Sequence, residues 1–195
     1  MRGAQALTKI EPGARAAVVP KLIPILSSDR ENDRFVAAQA LGTFGSVARP
    51  AVPGLLEMLS GTQFERNRSA AAKALGEILK DAEPSPEVEQ VADKLVRKFN
   101  EEYDNYSDVR REAANALGMI GPAAKSCIPR LTKGLTDFKP SSDEHFMVRR
   151  ASAWTCGRMG PLAAEHLDRL ISMMLSEGQK APEYVEAIGL IGPRH

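Results

Sequence analysis

The chain has 195 residues, of which 43% are apolar, 26% are charged and only 5% are aromatic. Its formal net charge of +1 gives no global excess of charge that would favour nucleic acid or an anionic membrane surface. Cys127 and Cys156 make neither a metal-binding spacing nor a disulfide framework, and no apolar run is long enough to span a bilayer. We therefore expect no metal and no cofactor. Because the residues after Met1 lack the apolar core of a signal peptide, we also expect a cytoplasmic location.

Along most of the chain, apolar residues recur at the i, i+3, i+4 and i+7 spacing of amphipathic helices. Proline and glycine mark where these helices begin and end. After the tail of a shortened helix at 4–10, the predicted helices are 12–27, 30–44, 48–60, 64–80, 86–100, 107–120, 123–136, 144–159, 162–176 and 181–191. The longer loops 100–107 and 136–146 could extend a binding site, although tolerated surface insertions are the favoured interpretation.

Two kinds of helix alternate. One kind ends in a small residue, an apolar residue and a glycine, and its glycines (the repeat glycines) are Gly42, Gly76, Gly118, Gly157 and Gly189, at spacings of 34, 42, 39 and 32 residues. The other kind begins with proline followed by aliphatic residues, as at Pro20, Pro53 and Pro129. Periods in this range indicate an array of helix pairs that bury their apolar faces against each other.

The alternation of a Pro-x-Leu-x-x-x-Leu helix with a Val-Arg-x-x-Ala-x-x-Ala-Leu-Gly helix, joined through Gly-Pro-Ala-Ala, resembles HEAT-repeat proteins. The linkers are similar to those of the bacterial HEAT-like class that includes the phycocyanobilin lyases. The resemblance implies an all-α, right-handed α-solenoid of stacked antiparallel helix pairs, with residues 1–195 as one solenoid of about five repeats. Neither end carries a polar capping repeat, so we expect a piece of a longer array or end-to-end self-association.

An arginine lies eight residues before four of the repeat glycines, at Arg34, Arg68, Arg110 and Arg149. In the HEAT resemblance this position implies a ladder in which the arginine binds an aspartate of the adjacent turn. Asp108 fits this role beside Arg110, whereas the other repeats lack an aspartate there. We interpret the four arginines as structural, because a planar guanidinium readily bridges carbonyls and carboxylates.

Positions seven before, three before and one after each repeat glycine lie four residues apart and share one side of the helix. The resemblance places this side on the concave face of the solenoid. The candidate partner-binding residues there are Phe35, Lys73, Arg111, Asn115, Met119, Arg150, Trp154 and Arg158. Trp154 occupies a place that is polar in the other repeats, so we expect it to be exposed as an interface hot spot. The alternative, that Trp154 fills a local packing gap, stays open.

The predicted function is a non-enzymatic scaffold that binds a protein or peptide on this concave face. No catalytic residue is predicted, because the histidines are scattered and Cys156 occupies a place held by leucine or isoleucine in other repeats. Two alternatives stay open: a nucleic-acid-binding HEAT-like protein and a bilin-lyase-like enzyme of the same fold. Glu77 and Glu186 on the same surface weigh against nucleic acid, since phosphate binding requires an excess of lysine and arginine. No membrane partner is expected.

Overall fold

The structure is a computed structural model that describes residues 12–61, 64–100, 107–131, 143–177 and 182–192. The regular elements within these ranges are all helical. The α-helices are α1 (Pro12–Leu22), α2 (Glu31–Thr43), α3 (Val52–Ser60), α4 (Glu65–Ile78), α5 (Pro86–Asn100), α6 (Ser107–Ile120), α7 (Asp143–Met159), α8 (Leu167–Glu177) and α9 (Pro182–Ile191), and residues 128–131 are also helical. Of the helices in these ranges, none is both long enough and apolar enough to cross a membrane.

The proline-type helices differ from the prediction at their ends. Three of them begin with a 3-10 helix, at Gly45–Ala51, Gly121–Cys127 and Gly160–His166, and the first one finishes with the 3-10 helix Ile23–Ser27. The predicted α-helices at 48–60, 123–136 and 162–176 therefore start as tighter turns. Each of these 3-10 segments contains at least two alanines, small residues that suit the tighter winding, in which side chains three residues apart eclipse each other.

The turn between the two helices of a pair depends on a glycine with positive φ. Gly121 has φ +71°, and the equivalent glycines at positions 45, 160 and 192 have φ between +58° and +78°. A side chain would be strained in this left-handed region, so glycine is the residue that ends one helix and lets the next one begin. After α4 the left-handed position is instead taken by Asp81, with φ +50°.

The described residues group into two compact units, Met1–Lys80 and Asp81–His195. In the first unit, α4 packs against both α2 and α3. The backbones of α2 and α4 approach closely, because a Cβ added to Gly42 would lie 3.1 Å from Cα of Ala74. The largest fully buried side chains of this core are Leu41, Leu55, Leu59, Leu75 and Leu79.

In the second unit, α7 packs between α6 and α9, while α6 also contacts α5 and α9 also contacts α8. The buried Thr155 hydroxyl donates to the carbonyl of Ala114 on α6 at 2.7 Å and lies 2.8 Å from the carbonyl of Ala151 on its own helix. Glycine again permits the close approach, since a Cβ on Gly157 would lie 2.8 Å from Cα of Ala187. The predicted all-α class is confirmed. One continuous solenoid through residues 1–195 stays a prediction.

Several expectations from the sequence fall outside the described residues. These are the helix tail at 4–10, most of the two longer loops, at 101–106 and 136–142, and the last residues of the predicted helix 123–136.

Candidate partner-binding surface

Arg150, Trp154 and Arg158 follow each other at intervals of four residues on α7, so they form one ridge along one side of that helix (the α7 ridge). All three side chains are half-buried. The sequence predicted all three as partner-binding residues, and the structure shows what surrounds each of them.

Trp154 rests on the backbone of α6 at Gly118. A Cβ added to Gly118 would lie 2.3 Å from Cζ3 and 2.7 Å from Cε3 of the indole, so the missing side chain makes the space that the ring occupies. The indole is therefore less exposed than the sequence suggested, because one of its edges fills a gap left by glycine. The remainder of the ring stays accessible, since the residue as a whole is only half-buried.

Arg158 is fixed at the end of α6. Its Nε donates to the carbonyl of Gly118 at 3.3 Å, and its Nη2 forms an ion pair with Oδ1 of Asp81. Asp81 is itself held in place, because its backbone N–H donates to the carbonyl of Met119 at 2.9 Å. The guanidinium of Arg158 and the backbone N–H of Asp81 thus donate to carbonyl groups that the end of α6 leaves without intrahelical partners, and the Asp81 carboxylate accepts from the same guanidinium.

Arg150 connects α7 to α9. Its Nη2 forms an ion pair with Oε1 of Glu183, and its guanidinium carbon lies 5.2 Å from the centroid of the Phe146 ring. The hydrogen bond from Arg150 holds the pKa of the Glu183 carboxyl below its usual value. The pair is therefore charged at neutral pH and keeps the arginine in one orientation.

The three α6 candidates lie beside the ridge. Arg111 pairs with Asp108 at 2.5 Å and with Glu112 at 3.1 Å, while Asn115 and Met119 are half-buried on the same helix. The sequence assigned Asp108 to Arg110, which is two residues away. The Asp108 carboxylate contacts Arg111, because side chains three residues apart are neighbours on a helix surface, and its pairing with Arg110 stays a prediction.

The remaining two candidates belong to the first unit. Phe35 on α2 is half-buried, and the guanidinium carbon of Arg66 on α4 lies 3.6 Å from its ring centroid, which is cation–π geometry. Lys73 is exposed on α4.

Two arginines of the predicted ladder bind carbonyls near the end of the preceding helix. Nη1 of Arg34 donates to the carbonyl of Ser28 at 2.5 Å, and Nε of Arg110 donates to the carbonyl of Phe99 at 3.0 Å. A cation is favourable at this place, because the last carbonyls of a helix lack partners and carry partial negative charge. Arg149 is buried and Arg68 is half-buried. Our interpretation of the four as structural residues stays consistent with these positions.

Sequence reasoning missed the carboxylates that hold the ridge. Asp81 lies 77 residues before its partner Arg158, and Glu183 lies 33 residues after its partner Arg150. The sequence of a single repeat gives no signal for Glu183, because the position six residues before the repeat glycine varies, with Val36 in α2, Ala70 in α4, Glu112 in α6 and Ala151 in α7.

The described residues offer little support for a catalytic role. Both thiols are buried, and burial raises the pKa of Cys127 and raises that of Cys156 to about 12, so neither is a thiolate at neutral pH. The imidazole of His166 lies 3.1 Å from the Glu165 carboxylate, and burial lowers its pKa despite that neighbour. Within the described ranges, no three His, Cys, Asp or Glu side chains group in a way that could hold a metal ion.

Comparison with solved structures gives several chains with the same fold. An engineered protein shares 23% identity over 97% of this chain and 89% of that chain, with a TM-score of 0.68. The complex of CpcE and CpcF of phycocyanin lyase from Nostoc sp. PCC7120 shares 21% identity over 88% of this chain and 98% of that chain, with a TM-score of 0.62. A designed armadillo repeat protein in complex with the peptide (KR)4 shares 14% identity over 98% of this chain and 91% of that chain, with a TM-score of 0.67.

Two family models match the sequence. The model for HEAT repeats matches residues 19–105, and the model for the PBS lyase HEAT-like repeat matches residues 109–137. Comparison with curated proteins gives no match. Because the two models together span more than half of the chain and its fold is that of helical-repeat solenoids, the chain belongs to the HEAT-repeat proteins.

Proposed function

We propose that this chain is a non-enzymatic scaffold that binds a protein or peptide through the α7 ridge and the adjoining residues Arg111, Asn115 and Met119 of α6. One observation carries the proposal: the half-buried indole of Trp154 is seated on Gly118 between two arginines. Tryptophan and arginine are the residue types that concentrate binding free energy at protein interfaces. By the HEAT resemblance this side of the helix is concave, and Phe35 and Lys73 are proposed contacts of the first unit.

The ridge is suited to binding because its side chains are already fixed. Carboxylates orient Arg150 and Arg158, and packing on α6 orients Trp154. A partner that contacts them therefore freezes few additional rotamers, and side-chain ordering is one of the main costs of association. This arrangement supports recognition by contact with the indole and with the accessible edges of the guanidinium groups.

The same ion pairs disfavour a nucleic-acid partner. Arg111, Arg150 and Arg158 each pair with at least one carboxylate, so their positive charge is neutralised locally. Binding to phosphates depends on arginine and lysine charge that can replace released counterions. A thiol-dependent lyase activity is disfavoured as well, because both cysteines are buried and their pKa values are raised. Helical-repeat folds commonly bind peptides, and the designed armadillo protein in complex with (KR)4 is one case.

Trp154 is the only tryptophan in the chain, which makes it a reporter of the proposed site. Peptides are selected from a displayed random library against the immobilised protein and are then titrated while the indole emission is recorded. We expect a saturable emission change with the wild-type protein. Because truncation of an interface hot spot costs roughly 2 kcal/mol or more, Trp154→Ala should weaken binding, measured by calorimetry, at least about 30-fold.

The matched control is Phe64→Ala, which removes an exposed aromatic ring from the first unit. This variant should bind the selected peptides as tightly as wild type. Circular dichroism confirms that each variant keeps its helical content. Equal binding by the wild type and by folded Trp154→Ala would move the site away from the ridge. Capture of nuclease-sensitive material with a steep salt dependence would favour nucleic acid instead.

A further inference from the structure

Two aspartates beside the α7 ridge are more accessible to solvent than the arginines with which they pair. In the ion pair that fixes Arg158, the Asp81 side chain is 58% exposed and the arginine side chain is 35% exposed. In the ion pair on α6, the Asp108 side chain is 54% exposed and that of Arg111 is 29% exposed. The protein therefore covers each guanidinium more than its carboxylate, and a partner that approaches this surface meets the negative end of each pair.

Carboxylates also outnumber arginines in the ion pairs around the indole. Arg111 pairs with two carboxylates, those of Asp108 and Glu112, and each arginine of the ridge pairs with at least one. The neighbouring arginines of the predicted ladder do not offset this excess at the surface, because Arg110 donates to a carbonyl of α5 and Arg149 is buried. The paired side chains that surround Trp154 thus present an excess of negative charge.

Glu186 adds a further carboxylate next to the ridge. It lies on α9 three residues before the repeat glycine, which is the position of Trp154 on α7. α9 packs on α7 at Gly157, because a Cβ there would lie 2.8 Å from Cα of Ala187, the residue that follows Glu186. The Glu186 side chain is exposed, and within the described ranges no ion pair or hydrogen bond engages it. Its carboxylate is therefore available to a partner.

We propose that the partner of the α7 ridge is a basic peptide segment, with a lysine or arginine side chain over the accessible part of the Trp154 ring. This inference rests on the proposed function and adds to it the charge of the partner. The face of an aromatic ring attracts a cation, and indole does so most strongly. Further basic residues of the segment pair with the exposed carboxylates of Asp81, Asp108 and Glu186, since complementary charge selects the partner and speeds its encounter.

An acidic segment fits the same surface less well. Its carboxylates would approach Arg158 and Arg111 past Asp81 and Asp108, which are the more exposed members of their pairs. Like charges that face each other across an interface disfavour the wrong partner strongly. The surface therefore discriminates in favour of lysine and arginine.

The test begins with the peptides that the immobilised wild-type protein selects from the displayed random library. Compared with the unselected library, the bound peptides should be enriched in lysine and arginine and depleted in aspartate and glutamate. One selected peptide is then synthesised in two forms, unchanged and with every basic residue replaced by glutamine. Because the glutamine form offers no cation to the indole or to the carboxylates, calorimetry should show that it binds at least about tenfold more weakly.

A charge reversal on the protein tests the same contact from the other side. Glu186→Lys should weaken binding of the unchanged basic peptide by about fivefold, and the loss should shrink as NaCl is raised from about 0.05 M to about 0.5 M. The matched control is Glu89→Lys, which changes the net charge equally on α5, a helix that carries no residue of the proposed surface. This control should bind like the wild type. Both glutamates are exposed, so circular dichroism should show unchanged helical content.

The outcomes separate this inference from the proposed function. Selected peptides that lose affinity for Trp154→Ala but carry no excess of basic residues would overturn the inference and leave the proposed function standing. Equal weakening by Glu186→Lys and Glu89→Lys would also overturn it, because the effect would then follow net charge alone. Basic peptides that bind folded Trp154→Ala as tightly as wild type, or a selection that enriches no peptide, would contradict both.

Discussion

The indole of Trp154 lies against the backbone of Gly118, so close that a Cβ at this glycine would come within 2.3 Å of Cζ3. Gly118→Ala should therefore displace the ring. The gain of about 1 kcal/mol in helix propensity is smaller than the cost of overpacking, typically about 1–3 kcal/mol. We expect a lower thermal midpoint, and a red shift of the tryptophan emission because the displaced ring is more exposed to water.

A second substitution isolates the cause of this effect. If the indole is the obstacle, Gly118→Ala should cost less when Trp154 has already been replaced by alanine, and the double-mutant cycle measures that difference. An emission spectrum that does not change in Gly118→Ala would contradict the packing described here.

The glycines Gly157 and Gly189 occupy the same place in successive repeats but have different surroundings. A Cβ on Gly157 would lie 2.8 Å from Cα of Ala187, which belongs to the backbone of α9 and cannot rotate away, whereas a Cβ on Gly189 would meet nothing within 4 Å. Gly157→Ala should lower the free energy of unfolding by roughly 1–3 kcal/mol. Gly189→Ala should raise it by about 0.5–1 kcal/mol, because alanine favours the helix. Urea denaturation measures both changes in the free energy of unfolding. Changes of the same sign would contradict the difference in packing around the two glycines.

Asn67 is buried where α6 and α7 carry the valines Val109 and Val148, which are buried as well. Within the described residues, neither atom of its side-chain amide has a hydrogen-bond partner. An unsatisfied buried polar group costs roughly 1–3 kcal/mol, so Asn67→Val should stabilise the protein by about that amount. The control is Asn115→Val, a half-buried position where the amide reaches water and the gain should be small. A thermal midpoint that falls in Asn67→Val would indicate a partner for the amide.

The helices and the repeat could be predicted because they depend on local patterns. α5 and α6 occupy the predicted residues, since a period of 3.6 and helix-ending glycines are visible in any single repeat. The contacts of the candidate site could not be predicted in this way. The pairing of Arg158 with Asp81 depends on the left-handed backbone conformation of this aspartate after α4, where the other repeats have glycine. The packing of Trp154 on Gly118 depends on the offset between neighbouring helices. Such offsets are set by packing between repeats rather than by the sequence of one repeat.

The ion pair between Arg150 and Glu183 makes stability depend on pH. The hydrogen bond from Arg150 lowers the pKa of this carboxyl in the folded state, whereas in the unfolded chain the group titrates near its ordinary value of about 4.3. At acidic pH the unfolded chain therefore binds more protons than the folded one. The contribution of the pair is complete above the unfolded pKa and is lost as the pH falls through the folded pKa.

Glu183→Gln removes this linkage, so the variant should be less stable than wild type at pH 7, and the difference should shrink as the pH is lowered below about 4.3. Urea unfolding at a series of pH values measures it. Asp93→Asn provides the comparison: a hydrogen bond from Arg130 lowers the pKa of Asp93 too, but both partners are more exposed, so solvent screening should make the effect smaller. A difference between wild type and Glu183→Gln that stays constant with pH would show that folding does not lower the pKa of this carboxyl.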